Sequence, residues 1–266
     1  MKRIKVFIKR IIPITYYRKM SNIKNYLKSI FLFGFKYQCN FCHGHFRKLL
    51  PIGLKNDVAM NLIGGGYRYS LCPRCHSTDR ERLIYWYIVN KTNILNLDKT
   101  INLLHVAPER NLQKVLKAST KIKYISGDLN PLVADRKIDI TDINFEDDYF
   151  DFIICNHVLE HIQDDRKAMS ELFRVLKPGG EAILQVPISK CNKETFEDFS
   201  ITSPEEREKY FGQKDHVRIY GKDYRKRLED VGFKVDLHNM KEDLSVQDIK
   251  KYGFNESEIL YLCRKL

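Results

Sequence analysis

The sequence predicts an α/β protein in which a doubly wound, mostly parallel sheet follows a small cysteine-rich module. Three observations predict it. Short apolar runs alternate with amphipathic stretches from residue 101 onward. Two Cys-x-x-Cys pairs precede that alternation. Between the two parts, Thr78-Asp79-Arg80-Glu81 has the form of a capping box that opens a helix.

The alternation can be followed element by element. Strands are expected at 101–106, 122–126, 152–156, 182–186, 233–237 and 259–263, with helices at 108–118, 164–176 and 220–231. Strands that read as near-continuous apolar runs are those buried on both faces by crossover helices, so a largely parallel sheet is expected. Lys177-Pro178-Gly179-Gly180 supplies a turn that stops one helix and starts the next strand.

A chain of 266 residues is long enough for one α/β domain and a small appendage, and 43% hydrophobic with 30% charged residues fits a folded globular protein. The net charge of +12 is unevenly placed. Residues 1–56 hold 13 Lys and Arg and no acid, which leaves 33 basic and 34 acidic residues in the rest. A basic groove across the main domain is therefore not expected, and the charge marks the N-terminal segment, residues 1–36. In that segment Ile4, Phe7, Ile8, Ile11 and Ile12 share one helical face up to Pro13, and Tyr16, Met20, Ile23, Leu27 and Ile30 form a second stripe. Two readings stay open: the stripes pack on the chain's own domain, or they contact an anionic membrane surface. No apolar run reaches the length of about 20 residues that a spanning helix needs, and none has the position of a signal-peptide core. A cytoplasmic location is expected, with peripheral contact at the inner membrane face as the variant.

Cys39-Asn-Phe-Cys42 and Cys72-Pro-Arg-Cys75 predict a structural zinc ribbon over residues 37–77. Each tight turn brings two thiolates to one metal, and two turns close a tetrahedron. A closed tetrahedron has no vacant position for activating water, so the zinc is expected to be structural. The helix from Thr78 then forms a connector, 78–94, to a domain spanning 95–266.

The runs Phe150-Asp151-Phe152-Ile153-Ile154-Cys155-Asn156-His157-Val158-Leu159-Glu160-His161-Ile162 and Glu171-Leu172-Phe173-Arg174-Val175-Leu176-Lys177-Pro178-Gly179-Gly180 resemble the middle of class I S-adenosylmethionine-dependent methyltransferases. The resemblance covers about 170 residues and implies a seven-stranded Rossmann-like sheet with S-adenosyl-L-methionine as cofactor. It further implies that Asp128, followed by Leu129, takes the ribose hydroxyls, that Asp139 and Ile140 lie around the adenine, and that Asn156 ends a strand beside the sulfonium. The sequence departs from the family where a glycine-rich loop is usual. Here His105-Val106-Ala107-Pro108-Glu109 follows the first strand; Ala107 is small enough for close approach, Pro108 suits a first helical position, and Glu109 is placed to meet the cofactor's ammonium.

Methyl transfer from a sulfonium is a direct displacement, so alignment and water exclusion matter most, and a base helps only a hydroxyl acceptor. His157 and His216 are the expected bases. His161, Arg218 and Tyr220 are expected to contact the acceptor, beneath a cover formed by residues 188–219. The function expected is methylation of a small or carrier-linked acceptor, such as a sugar or nucleotide-linked intermediate of surface-polysaccharide biosynthesis. Two alternatives remain: a zinc-ribbon methyltransferase of rRNA or tRNA, and a non-catalytic adaptor with a degenerate cofactor loop.

Overall fold

The computed structural model describes residues 14–92, 94–95 and 98–266, so the first expected stripe, at residues 4–12, lies outside the described residues. The chain begins with helix α1, Ile14–Phe31, which runs into strand β1, Phe33–Gln38. Along α1, Met20, Ile23, Leu27 and Ile30 are each 54–59% exposed, so these four members of the second stripe are not buried against the sheet domain. β1 pairs antiparallel with β2, His45–Phe46, and the first cysteine pair lies at their turn. β3, Leu50–Ile52, pairs antiparallel with β4, Arg68–Leu71, immediately ahead of the second cysteine pair. A single helical turn, Val58–Leu62, projects between β3 and β4.

Helix α2, Asp79–Lys91, starts where the capping sequence places it, and Thr78 Oγ1 accepts from the Glu81 amide at 3.1 Å. The other half of the box is used differently. Glu81 accepts from the amides of Asn111 and Leu112 at 2.9 and 3.2 Å, and so caps the next helix, α3, Arg110–Ala118. Pro108 precedes that helix rather than opening it, because Glu109 occupies the position before the first helical residue.

The sheet strands are β5, Ile101–Val106; β6, Ile122–Asp128; β7, Arg136–Lys137; β8, Phe150–Asn156; and β9, Leu176–Gln185. Helix α4, Asp165–Val175, links β8 to β9, with the Asp164 side chain accepting from the Lys167 amide. The segment after β9 carries β10, Phe196–Glu197; helix α5, Pro204–Phe211; and β11, Arg218–Ile219. Helix α6, Tyr224–Glu229, is shorter than the helix expected at 220–231. It is followed by β12, Lys234–Asn239; helices α7, Met240–Asp243, and α8, Val246–Tyr252; and β13, Ile259–Arg264.

Seven strands form one sheet in the order β12-β13-β9-β8-β5-β6-β7. Pairings from β9 through β7 are parallel, and β13 is the reversed strand. This is the Rossmann-like arrangement that the resemblance implies. Side chains alternate between two cores: Leu104, Val106, Ile153 and Cys155 face α4 and α6, whereas Leu103, Phe152 and Ile154 face α2 and α3. The Lys177-Pro178-Gly179-Gly180 stretch is a kink inside β9 rather than a turn ahead of it. Gly179 takes φ 76° there, and its amide donates to Lys265 O at 2.7 Å.

The cysteine module is fastened to this sheet by one buried guanidinium. Arg82 donates to Ser77 O and Ser70 O at 2.7 and 2.9 Å, and to Tyr252 O and Gly253 O at 3.0 and 3.3 Å. It thereby ties β4 and the second cysteine loop to the end of α8. Substituting Arg82→Ala leaves four carbonyls without this donor. We expect a loss of about 3 kcal/mol in chemical denaturation, since hydrogen bonds to a charged group contribute more than neutral ones; a stability within ~0.5 kcal/mol of the parent would show the tie to be dispensable.

Candidate functional site

A parallel sheet opens a crevice where successive connections leave in opposite directions. Here β5 connects to β6 on one side while β8 lies on the other. A cleft of about 500 Å³ occupies that point, lined by Val106 and Ala107 after β5, Asp128 and Leu129 after β6, Ile138, Asp139 and Ile140, and then His157, Val158, His161, Ile162 and Asp215. The volume falls in the usual range for small-molecule sites, about 300–1,000 Å³.

Five of the residues expected around a cofactor therefore meet in one cleft: Ala107, Asp128, Leu129, Asp139 and Ile140. Ala107 takes φ 46°, the left-handed conformation that favours glycine, so the backbone turns as a glycine loop would although no glycine is present. His157 at the exit of β8 does the same with φ 54°. Asp128 spends one oxygen on the Asn130 amide at 2.7 Å, and no protein donor takes its other oxygen among the described residues. Asp139 is held by the Thr141 amide and hydroxyl, which lower its carboxyl from the ordinary range. Gly127 is required by its neighbours: a Cβ there would stand 2.5 Å from Ile138 Cδ1 in the cleft wall.

His105, Glu109 and Asn156 do not line the cleft. They form a chain behind it, in which His105 Nε2 meets Glu109 Oε2 at 2.6 Å and Asn156 Nδ2 donates to Glu109 Oε1 at 3.0 Å. His105 is fully buried, and its Nδ1 meets the Tyr124 hydroxyl at 3.0 Å. Burial opposes the charge on Glu109, but His105 and Asn156 outweigh it and hold the carboxyl below its usual range. Glu109, expected to meet an ammonium, is held in an internal brace across the exits of β5 and β8, with one protein partner on each carboxylate oxygen.

Beyond β8, a 3₁₀ turn at Leu159–His161 presents His161 to the cleft and buries Glu160. His216 arrives from the segment after α5, where the Val217 amide donates to Glu160 O at 3.0 Å. The rings of His161 and His216 meet edge to face at 4.7 Å. His157 Nδ1 stands 3.4 Å from Glu160 Oε1. His157 faces the cleft as expected of a base, but His216 does not: it is 1% exposed behind His161, and burial depresses its pKa to about 4. Such an imidazole is a weak base, so His157 and His161 are the two histidines that reach the cleft.

Arg218 and Tyr220 are corrected from acceptor contacts to structural members. Arg218 is buried and donates to Leu159 O, Ile162 O and Gln163 O, with its Nε on Glu197 Oε2 at 2.8 Å. The Tyr220 hydroxyl donates to Asp165 Oδ2 at 2.7 Å inside the core. Sequence patterning missed Ile138, Val158, Ile162 and Asp215; the apolar three flank residues already singled out, and only the long return of the chain brings Asp215 near.

The four cysteines converge as their spacing predicts. Cys39 Sγ lies 3.5 Å from Cys75 Sγ, Cys42 Sγ lies 3.7 Å from Cys72 Sγ, and all four fall within 4.8 Å of one another. A tetrahedral zinc with bonds of about 2.3 Å requires sulfurs about 3.8 Å apart. After each pair, His43 and His76 adopt φ 52° and 60°, so the two loops turn alike.

The family model for a methyltransferase domain matches residues 90–184. The chain is 30% identical over 129 residues to a chloroplastic 2-phytyl-1,4-beta-naphthoquinone methyltransferase of Arabidopsis thaliana, covering 48% of this chain and 44% of that one. It is 44% identical over 46 residues to a demethylmenaquinone methyltransferase of Clavibacter sepedonicus, 17% and 19% of the two chains. It thus spans less than half the length of these relatives. A solved SAM-dependent methyltransferase from Archaeoglobus fulgidus aligns at 14% identity with a TM-score of 0.45, over 69% of this chain and 93% of that one. Residues 90–184 are thus the part of the chain that is similar to a methyltransferase domain.

Proposed function

We propose that the chain is an S-adenosylmethionine-dependent methyltransferase whose cofactor occupies the cleft at the exits of β5, β6 and β8. One observation carries this reading: Ala107, Asp128, Leu129, Asp139, Ile140 and His157, drawn from four separate stretches of sequence, line a single cleft. Asp128, with one oxygen free, suits a ribose diol; Ile138 and Ile140 suit the face of a purine; the left-handed turn at Ala107 lets the backbone approach. The cofactor supplies an electrophilic methyl group. The protein's part is to hold it, align an acceptor and keep water out. The acceptor is small or carrier-linked; the quinone methyltransferases among the relatives act on a different ring chemistry from the sugar intermediate expected above, and no residue of the cleft singles out a sugar.

Calorimetry with S-adenosylhomocysteine tests the reading. Binding should be micromolar to millimolar in the parent, and Asp128→Ala should weaken it about tenfold or more, the loss of roughly 1.4 kcal/mol or beyond. Ala107→Gly should bind as the parent does, because the turn already has glycine's conformation, whereas Ala107→Val should abolish binding. No binding by the parent would end the proposal.

The cysteine cluster is read as a structural Zn²⁺ site, supported by its sulfur spacing. The expected metal content is one zinc per chain, with Cys42→Ser losing zinc and the fold of the module together; full thermal stability of a zinc-free protein would overturn this.

No helix among the described residues is long and apolar enough to cross a membrane. A peripheral contact has support of another kind. Met20, Ile23, Leu27, Ile30 and Phe31 on α1 and Phe33 and Phe35 beyond it are exposed, beside Lys24 and Lys28, in the acid-free first 56 residues. We read this face as meeting an anionic lipid surface. The protein should cosediment with vesicles containing phosphatidylglycerol, not with purely zwitterionic ones, and Ile23→Asp with Leu27→Asp should release it; equal sedimentation of the double variant would refute the contact.

A further inference from the structure

We infer that Glu160, His161 and His216 form a second metal site, distinct from the cysteine cluster, that takes a divalent first-row transition cation beside the cofactor cleft. One ligand atom from each of the three residues lies within 4.8 Å of the others, as a single ion requires. The site is built from buried donors: Glu160 is 2% and His216 1% exposed. Both have an atom with no hydrogen-bond partner, Glu160 Oε2 and His216 Nε2. Asn156 Oδ1 and the ring nitrogens of His157 are likewise buried without a hydrogen bond, while His157 Nδ1 keeps an ion-pair distance of 3.4 Å to Glu160 Oε1. An unsatisfied buried polar group costs about 1–3 kcal/mol, and a cluster of them marks a place where a polar ligand belongs.

The donor set identifies the class of ligand. Imidazole nitrogens accept a cation through an in-plane lone pair, and a carboxylate supplies charge. Two imidazoles and one carboxylate suit Mn²⁺, Co²⁺ or Zn²⁺ better than Mg²⁺ or Ca²⁺, which prefer all-oxygen shells. The absence of thiolate separates this site from the four-sulfur one. His157 Nδ1, 3.4 Å from Glu160 Oε1, is placed as a further donor, and Asp215 Oδ2, 3.5 Å from His161 Nδ1, as an outer partner that orients the ring.

The three residues come from two distant parts of the chain. Glu160 and His161 belong to the turn after β8, and His216 to the segment after α5. A cation would therefore pin residues 188–219 against the cleft wall that His157 and His161 share. Its chemical use rests on the methyltransferase reading. A hydroxyl oxygen of the acceptor bound to the cation gives its proton to water more readily. That oxygen then forms the bond to the methyl carbon while the sulfur–methyl bond breaks, and the electron pair stays on sulfur, leaving S-adenosylhomocysteine. The site thus deepens the proposal from methyl transfer in general to transfer onto a hydroxyl-bearing acceptor.

The test is Mn²⁺ binding by the full-length protein with its cysteine site zinc-loaded, read by paramagnetic resonance of free Mn²⁺, alongside calorimetry with S-adenosylhomocysteine. One Mn²⁺ per chain is expected. Glu160→Gln and His216→Ala should each weaken it at least tenfold while zinc content stays at one. Because those two residues are buried, the half-exposed His161→Ala provides a variant less dependent on packing, with the same expected loss. A parent protein that binds S-adenosylhomocysteine but takes up neither Mn²⁺ nor Co²⁺ beyond its zinc overturns the metal site and spares the methyltransferase reading. Variants that bind Mn²⁺ as the parent does also overturn it. Metal uptake without S-adenosylhomocysteine binding sustains the site and removes its assigned use.

Discussion

The buried guanidinium of Arg218 is the contact on which the arrangement of the cleft rests. It donates to three carbonyls of the turn after β8, at Leu159, Ile162 and Gln163, and pairs with Glu197 from the other end of the 188–219 segment. Arg227 closes the circuit by donating to Asp165 and Glu197 at 2.7 and 2.6 Å. Two cations and two carboxylates thus share a mostly buried network. The network also holds Glu197 ionised, since the two arginines outweigh the effect of burial on its carboxyl. Removing one member of such a group leaves the others charged and uncompensated, which is why pairs of this kind fix geometry more than they add stability. What they fix here is the position of Glu160 and His161 relative to His216.

A similar logic operates one strand away. The family's glycine loop is replaced by Ala107-Pro108-Glu109, and the backbone keeps the left-handed turn at Ala107. A non-glycine residue in that conformation costs about 1–2 kcal/mol. The brace of His105, Glu109 and Asn156 across β5 and β8 spans the same turn and supplies the bonds that hold it. The chain thus keeps a glycine-like turn without a glycine, held by bonds on either side of it.

Legibility from sequence followed the range of the interactions. The parallel strands, the Thr78 cap and the convergence of four cysteines rest on local spacing, and each is where the pattern places it. Ala107, Asp128 and His157, of which Asp128 is singled out only through the resemblance, lie together in one cleft at the exits of three strands. Side chains that act over distance were not legible. Glu81 looks like half of a capping box and instead caps α3, 30 residues on. Arg218 and Tyr220 look like polar groups of a cover and are buried braces, since nothing in the sequence around them announces Asp165 or the carbonyls at 159–163. The short helices α7 and α8 carry too few turns for a period to show.

The cysteine module and the cover meet in a way that gives the module a role beyond tethering. The turn at Val58–Leu62 packs with Ile63 against Phe211 and Ile219. Asn56 donates to Gly212 O at 2.8 Å, and the Lys190 amide to Leu62 O at 2.9 Å. His216 lies four residues beyond that contact. The connection between the two cysteine pairs is therefore also the outer support of the segment that presents His216, while Arg218 is its inner support. A ribbon held rigid by metal would limit how far the segment 188–219 can move from the cleft, because each of its ends and its helix is bonded to something that does not move. The N-terminal module then acts on the site through packing alone, without any of its own side chains entering the cleft.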